Sequence, residues 1–129
     1  MKNILLIITS LLTSFLFAQN NPVALIPEPA NVMLKGGFFI LDNECGISYN
    51  SPGTEKSAII LAEKISKITG IKPDTGKNKM KNIFIELNEN SNQQIGEEGY
   101  NLVVEEKKIT IKANTETGIF YGIQTLLQL

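Results

Sequence analysis

Two pairs of adjacent acids, Glu97-Glu98 and Glu105-Glu106, are the first residues to examine for chemistry. Neighbouring carboxyls can divide acid and base work when their surroundings push their pKa values apart. Here Glu105-Glu106 runs straight into Lys107-Lys108, and Glu97-Glu98 closes the polar run "NENSNQQIGEE". Both pairs read as solvated turns. The single cysteine, Cys45, has no partner for an intramolecular disulfide. Followed by Gly46 and Ile47, it reads as a small buried apolar residue and not as a nucleophile. "GIFYG", from Gly118 to Gly122, lacks the spacing and the preceding strand of a dinucleotide loop. Histidine, arginine and tryptophan are all absent. Their absence removes His-based metal sites, His-assisted nucleophiles and guanidinium clamps together. The expectation is that this chain holds no catalytic residue, no substrate-binding residue, no metal site and no cofactor. With a net charge of -1 and scattered lysines, no nucleic-acid partner is expected either. The densest basic stretch, "KNKMK" from Lys77 to Lys81, reads as a solvated loop.

The first residues belong to targeting rather than to the fold. A basic start (Lys2), an apolar stretch from Ile4 to Phe17 and Ala18 before a polar run make the layout of a secretory signal peptide over residues 1–18. That stretch falls short of the roughly 20 residues that span a bilayer, so no stable membrane anchor is expected. The protein is expected to be exported, to the periplasm or the extracellular space. Residues 19–129 then form one domain, too short for a (β/α)8 barrel, which takes about 250 residues.

Within that domain, Pro27 and Pro29 favour an extended, irregular lead-in. Gly36-Gly37 lies between "NVMLK" and "FFILD" and predicts a hairpin there. "GISYN" predicts a short strand. In "TEKSAIILAEKISKITG" the apolar stripe Ala58, Leu61, Ala62, Ile65 and Ile68 predicts a helix, with Thr54 as N-cap and Gly70 as its left-handed stop. "NIFIEL" predicts a strand with Ile83, Ile85 and Leu87 on one face. Tyr100, Leu102 and Val104 alternate, as do Ile109, Ile111 and Ala113. If "EEKK" makes the turn, Val104 faces Ile109, Leu102 faces Ile111 and Tyr100 faces Ala113, all on one side of a hairpin. A last helix starts at Asn114 or Thr115 and buries Ile119, Phe120, Ile123, Leu126 and Leu127. Gly118 and Gly122, four residues apart, would let it approach the sheet closely. No Gly, Asn or basic residue closes this helix; a chain complete at Leu129 would leave its last carbonyls without caps, so the chain is expected to continue past Leu129.

Two stretches carry a family resemblance. "ALIPEPANVMLKGGFFILD", with Ile26-Pro27-Glu28-Pro29 and Gly37-Phe38-Phe39, resembles the opening of glycoside hydrolase family 20, the β-N-acetylhexosaminidases. Gly99-Tyr100, the alternating hairpin and Gly118-Ile119-Phe120-Tyr121-Gly122-x-Gln124-Thr125-Leu126-x-Gln128-Leu129 are similar to the end of that family's N-terminal domain. The closing string also marks domains that precede family 84 barrels, which remove O-linked N-acetylglucosamine, and a free-standing secreted binding module is a further alternative. The family 20 resemblance implies a non-catalytic α+β domain over residues 19–129, a mostly antiparallel sheet with two main helices packed on one face. Its implied partner is a downstream catalytic barrel of the same polypeptide, and through it glycans containing N-acetylhexosamine. The implied reaction retains configuration, with the substrate's acetamido oxygen as nucleophile, an Asp orienting it and a Glu as general acid. The family's His-x-Gly-Gly-Asp-Glu string has no counterpart in these 129 residues.

Overall fold

The computed structural model describes residues 24–26, 28–76 and 81–129. The signal segment 1–18, Pro27 and most of the basic stretch (residues 77–80) lie outside them. The elements run β1 (Cys45–Tyr49), α1 (Pro52–Thr69), β2 (Asp74–Thr75), β3 (Lys81–Leu87), β4 (Tyr100–Val104), β5 (Lys108–Ala113) and α2 (Glu116–Leu126). Five strands form one sheet in the order β2-β1-β3-β5-β4. Among the described residues no helix is long and apolar enough to cross a membrane.

The class is α+β, as expected, but the sheet is not mostly antiparallel. β1 pairs in parallel with β2 and β3, and β3 with β5; only β4 and β5 run antiparallel. Two connections explain the difference. α1 carries the chain back along the sheet between β1 and β3, and such a crossover returns a strand in the same direction. The β4–β5 hairpin then inserts its second strand beside β3, which leaves β4 at the edge. Alternation within the hairpin announces its own pairing and says nothing about which strand meets the neighbour.

That pairing is the one the sequence predicts. Tyr100 lies opposite Ala113, Leu102 opposite Ile111 and Val104 opposite Ile109. Across the sheet these positions continue as rows: Ile47, Ile83 and Ile109; then Ile85, Ile111 and Leu102; then Leu87, Ala113 and Tyr100. All nine point to one face, where the isoleucines are buried and both helices pack. The reverse face carries Ser48, Phe84, Thr110 and Val103 in its middle row, and Glu86, Lys112 and Asn101 in the next. Lys112 and Asn101 there are exposed.

α1 begins earlier than expected. Its N-cap is Ser51, in extended backbone, with Pro52 at the first helical position and Thr54 two residues further in. Thr54 Oγ1 donates to the Ser51 carbonyl at 3.0 Å and accepts from the Ser51 N–H at 3.3 Å. A hydroxyl at Thr54 therefore braces the cap instead of being it, and the fixed φ of Pro52 suits the first turn. Gly70 closes α1 with φ 77° and donates to the Ser66 carbonyl at 2.9 Å. The buried stripe is Ala58, Leu61 and Ile65, with Ala62 half-buried; Ile68, on the same side of the helix but in its last turn, is 71% exposed. The hairpin expected around Gly36-Gly37 is absent. Residues 28–44 form no strand, although Gly37 does take a positive φ of 106°. A permissive turn residue sets direction only, and a strand also needs a ladder partner. Phe39 and Leu41 of this lead still pack against the core.

Candidate functional site

The acids do not assemble into a site. Glu97, Glu98, Glu105 and Glu106 are all exposed. Glu105 and Lys108 close the β4–β5 turn through reciprocal backbone bonds of 2.8 and 3.4 Å, the solvated turn expected. Cys45 is buried at the start of β1, and burial above all, with the nearby Asp42 charge, pushes its thiol up to about 11. At that value the thiol form is favoured at neutral pH. Among the described residues no group of three or more His, Cys, Asp or Glu could hold a metal ion. Asp42 pairs with Lys81; that hydrogen bond, aided by the Glu44 N–H at 2.9 Å, holds its carboxyl below the usual range.

An open hollow of about 540 Å³ lies at the carboxyl ends of β3 and β5, lined by Asn50, Glu86, Leu87, Asn88, Glu89, Asn90 and Lys112. Asn50, Glu86, Asn88 and Lys112 of this lining make contacts within the fold. Asn50 grips the Leu87 peptide, donating to its carbonyl at 2.9 Å and accepting from its N–H at 3.0 Å. Glu86 lies 3.7 Å from Lys112, and Asn88 donates to Asn114 Oδ1 at 2.7 Å. Asn114 is the hub of this corner. Its Oδ1 also accepts from the Asn92 N–H at 2.8 Å, while its Nδ2 donates to the carbonyls of Asn92 at 2.8 Å and Gly96 at 2.7 Å. One side-chain amide with all four valences used pins the loop between β3 and β4 to the start of α2. Thr115 caps that helix by accepting from the Gly118 N–H at 3.2 Å. Of the two candidates for the N-cap, Thr115 takes the role, and Asn114 holds the preceding loop instead.

Gly118 and Gly122 are contact residues of the fold. A Cβ on Gly118 would lie 2.5 Å from the Gly99 carbonyl oxygen and 2.8 Å from Ala113 Cβ. On Gly122 it would meet Ile111 Cγ2 at 2.5 Å and the Tyr100 ring at 3.3 Å. A hydrogen bond of 2.5 Å between Tyr100 Oη and Thr125 Oγ1 joins the same surfaces.

The outer side of α2 is a candidate surface of a different kind. Ile119 and Ile123 are buried as expected, and Leu126 and Leu127 half-buried, but Phe120 is 54% exposed. It sits about 100° round the helix from Ile119, which takes it off the sheet-facing stripe. Its ring meets Tyr121 edge to face, centroids 5.7 Å apart. From Glu116 to Leu129 the first residue is the only charged one. A helix facing water normally presents charge on its outer side, as α1 does with Glu55, Lys56, Glu63, Lys64 and Lys67. The helix end also corrects an expectation. The Gln128 and Leu129 N–H groups reach the Thr125 and Leu126 carbonyls at 3.0 and 3.3 Å, and Gln128 Nε2 reaches the Gln124 carbonyl at 3.1 Å. Capping here comes from a glutamine side chain and a tightened last turn, signals a search for Gly, Asn or Lys passes over.

Residues 23–129 match the family described as glycosyl hydrolase family 20, domain 2. Among solved structures, the GH20 β-N-acetylhexosaminidase of Streptomyces coelicolor is 30% identical, with a TM-score of 0.69 over 78% of this chain and 20% of that one. The GH20 exo β-N-acetylglucosaminidase of Vibrio harveyi (an inactive mutant) is 25% identical, with a TM-score of 0.65 over 80% and 15%. Flavobacterium johnsoniae chitobiase is 30% identical, with a TM-score of 0.56 over 78% and 17%. The chain spans a fifth or less of the length of these solved chains. Comparison with curated protein sequences gives no match.

Proposed function

Because this chain belongs to glycosyl hydrolase family 20, whose domain 2 it matches over residues 23–129, we propose that it is the N-terminal accessory domain of an exported β-N-acetylhexosaminidase. The parent enzyme removes terminal, non-reducing N-acetylhexosamine residues from glycans. Catalysis belongs to a downstream barrel, with the sugar's own acetamido oxygen as nucleophile and a barrel Asp and Glu as its orienting group and general acid. The domain described here supplies support: a rigid sheet, two helices on one face, and an uncharged outer surface on α2 against which the barrel packs. Residues 1–18 direct export.

The observation that carries this reading is the family match across residues 23–129, joined to structural likeness with three hexosaminidase-type enzymes at 25–30% identity. The absence of histidine fits a role apart from the chemistry. The test is an assay on an aryl N-acetylglucosaminide. The protein expressed from the whole reading frame should release the aryl group, and residues 19–129 alone should match the buffer blank. Turnover by residues 19–129 that survives repurification would defeat the accessory role.

A further inference from the structure

The sheet face away from both helices carries an aromatic ring in its middle row. Phe84 is half-buried there, between Ser48 on β1 and Thr110 on β5. Lys108 Nζ lies over the ring, 4.9 Å from its centroid. β1 and β5 flank β3 on opposite sides, so Lys108 reaches the ring from the β5 side. From the β1 side it meets an open hollow of about 260 Å³, lined by Ser48, Tyr49, Asn50, Gly76, Phe84 and Glu86. Asn50 and Glu86 also line the larger hollow at the strand ends. The two hollows make one groove, which runs from Phe84 past Glu86 and Lys112 to Asn90 on the β3–β4 loop. Its walls are preset, which lowers the entropy lost on binding. Asn50 fixes one rim by its grip on the Leu87 peptide, and Asn114 fixes the loop through Asn92 and Gly96. Glu86 and Lys112, 3.7 Å apart, attract each other without a hydrogen bond, so both keep capacity for a ligand.

We propose that this groove binds a neutral glycan chain, with one sugar ring on Phe84 and the next beside Glu86, Lys112 and Asn90. The chemistry of the lining selects this occupant. Glu86 and Glu89 stand against Lys112 and Lys108, so the local field favours neither a polyanion nor a polycation. Phe84 and Val103, the apolar members of the middle row, are too few for the core of a protein interface, which gathers several large apolar side chains. A flat apolar ring bordered by carboxylate, ammonium and amide groups matches a sugar. The C–H face of a pyranose covers the ring, while its hydroxyls donate to Glu86 and accept from Lys112 and Asn90. That the chain consists of N-acetylhexosamine units rests on the accessory-domain reading above. A polymer held here stays at high effective concentration beside the enzyme that trims it.

Photo-crosslinking of the protein expressed from the whole reading frame tests this. The probe is a tetramer of β-linked N-acetylglucosamine that carries a diazirine, and labelled peptides are located by mass spectrometry. Label should appear in the peptides that contain Ser48 to Asn50 and Phe84 to Asn90, and excess unlabelled tetramer should remove it. Phe84→Ala and Glu86→Gln should each lower that label about ten-fold or more per mole of folded protein, since each deletes one contact of the sugar. Phe84→Tyr keeps the ring and should stay within about two-fold. If Phe84→Ala does not fold, Glu86→Gln decides alone, because it keeps the shape of the side chain. No label in these peptides would overturn the proposal. So would label that survives Glu86→Gln, or label that added salt abolishes, the mark of charge attraction. Hydrolysis of the aryl glycoside by the unmodified protein separates the two readings. An inactive protein with the label in place leaves the glycan groove standing and removes the enzymatic reading; an active one without it does the reverse.

Discussion

At Gly122 the main chain of α2 comes so near the sheet that one added carbon would stand 2.5 Å from Ile111 Cγ2. Gly122→Leu forces a whole side chain into that contact, an overpacking change of about 1–3 kcal/mol. In the full-length protein the melting temperature should fall while turnover per folded molecule is kept; lost turnover at an unchanged melting temperature would make Gly122 a functional contact. Asp42 offers a second residue-level outcome, with the sign set by its lowered pKa. A carboxyl held below its unfolded value of 3.8 stabilises the fold above that pH, and the contribution is lost as pH falls through the folded pKa. Asp42→Asn should therefore flatten the stability–pH curve on the acid side of 3.8 and leave its slope unchanged near neutrality, as read by melting temperature across pH. The packing role of Gly118 and Gly122 was legible from spacing alone, since two glycines four apart cost a helix about 1 kcal/mol each and ask for a close neighbour. The roles of Gln128 and Asn50 were not. Both amides grip a main-chain partner distant in sequence, Asn50 the Leu87 peptide and Gln128 the Ile26 N–H and carbonyl at 2.9 and 3.1 Å. Composition gives no sign of that.

Elements were legible in proportion to how local their signals are. The β4–β5 hairpin could be registered residue by residue because both strands and their turn lie in one short stretch. The C-terminus of α1 was equally plain, because Gly70 carries the stop in its own backbone. What failed was non-local: the parallel pairing of β1, β3 and β5, and the strand partner that residues 31–42 lack. The polar loop between β3 and β4 looked like a solvated connection, yet Asn114 holds it with bonds to Asn88, Asn92 and Gly96. Asn114→Ala leaves those loop groups to find other partners, at about 1–3 kcal/mol for any that stay buried. Hydrogen exchange at the Asn92 amide should speed up, with aryl-glycoside turnover unchanged. Unaltered exchange there would mean that the loop keeps its shape by itself.

For the molecule as a whole, the last helix that carries the candidate surface was legible in the sequence, from the spacing of Ile119, Ile123, Leu126 and Leu127. The contact at its end was not, because Ile26 and Gln128 are brought together only by the finished fold. Their clamp spans 102 positions, nearly the full length of the domain. Closing so wide a loop late costs little more entropy than closing a shorter one, since the penalty grows only with the logarithm of length. Timing is a different matter. Synthesis runs from the N-terminus, so Ile26 leaves the ribosome long before the residue that holds it. Until Gln128 follows, the Ile26 backbone lacks the partner that holds it in the finished fold. The Ile26–Gln128 contact can therefore form only once the last turn of the domain is available.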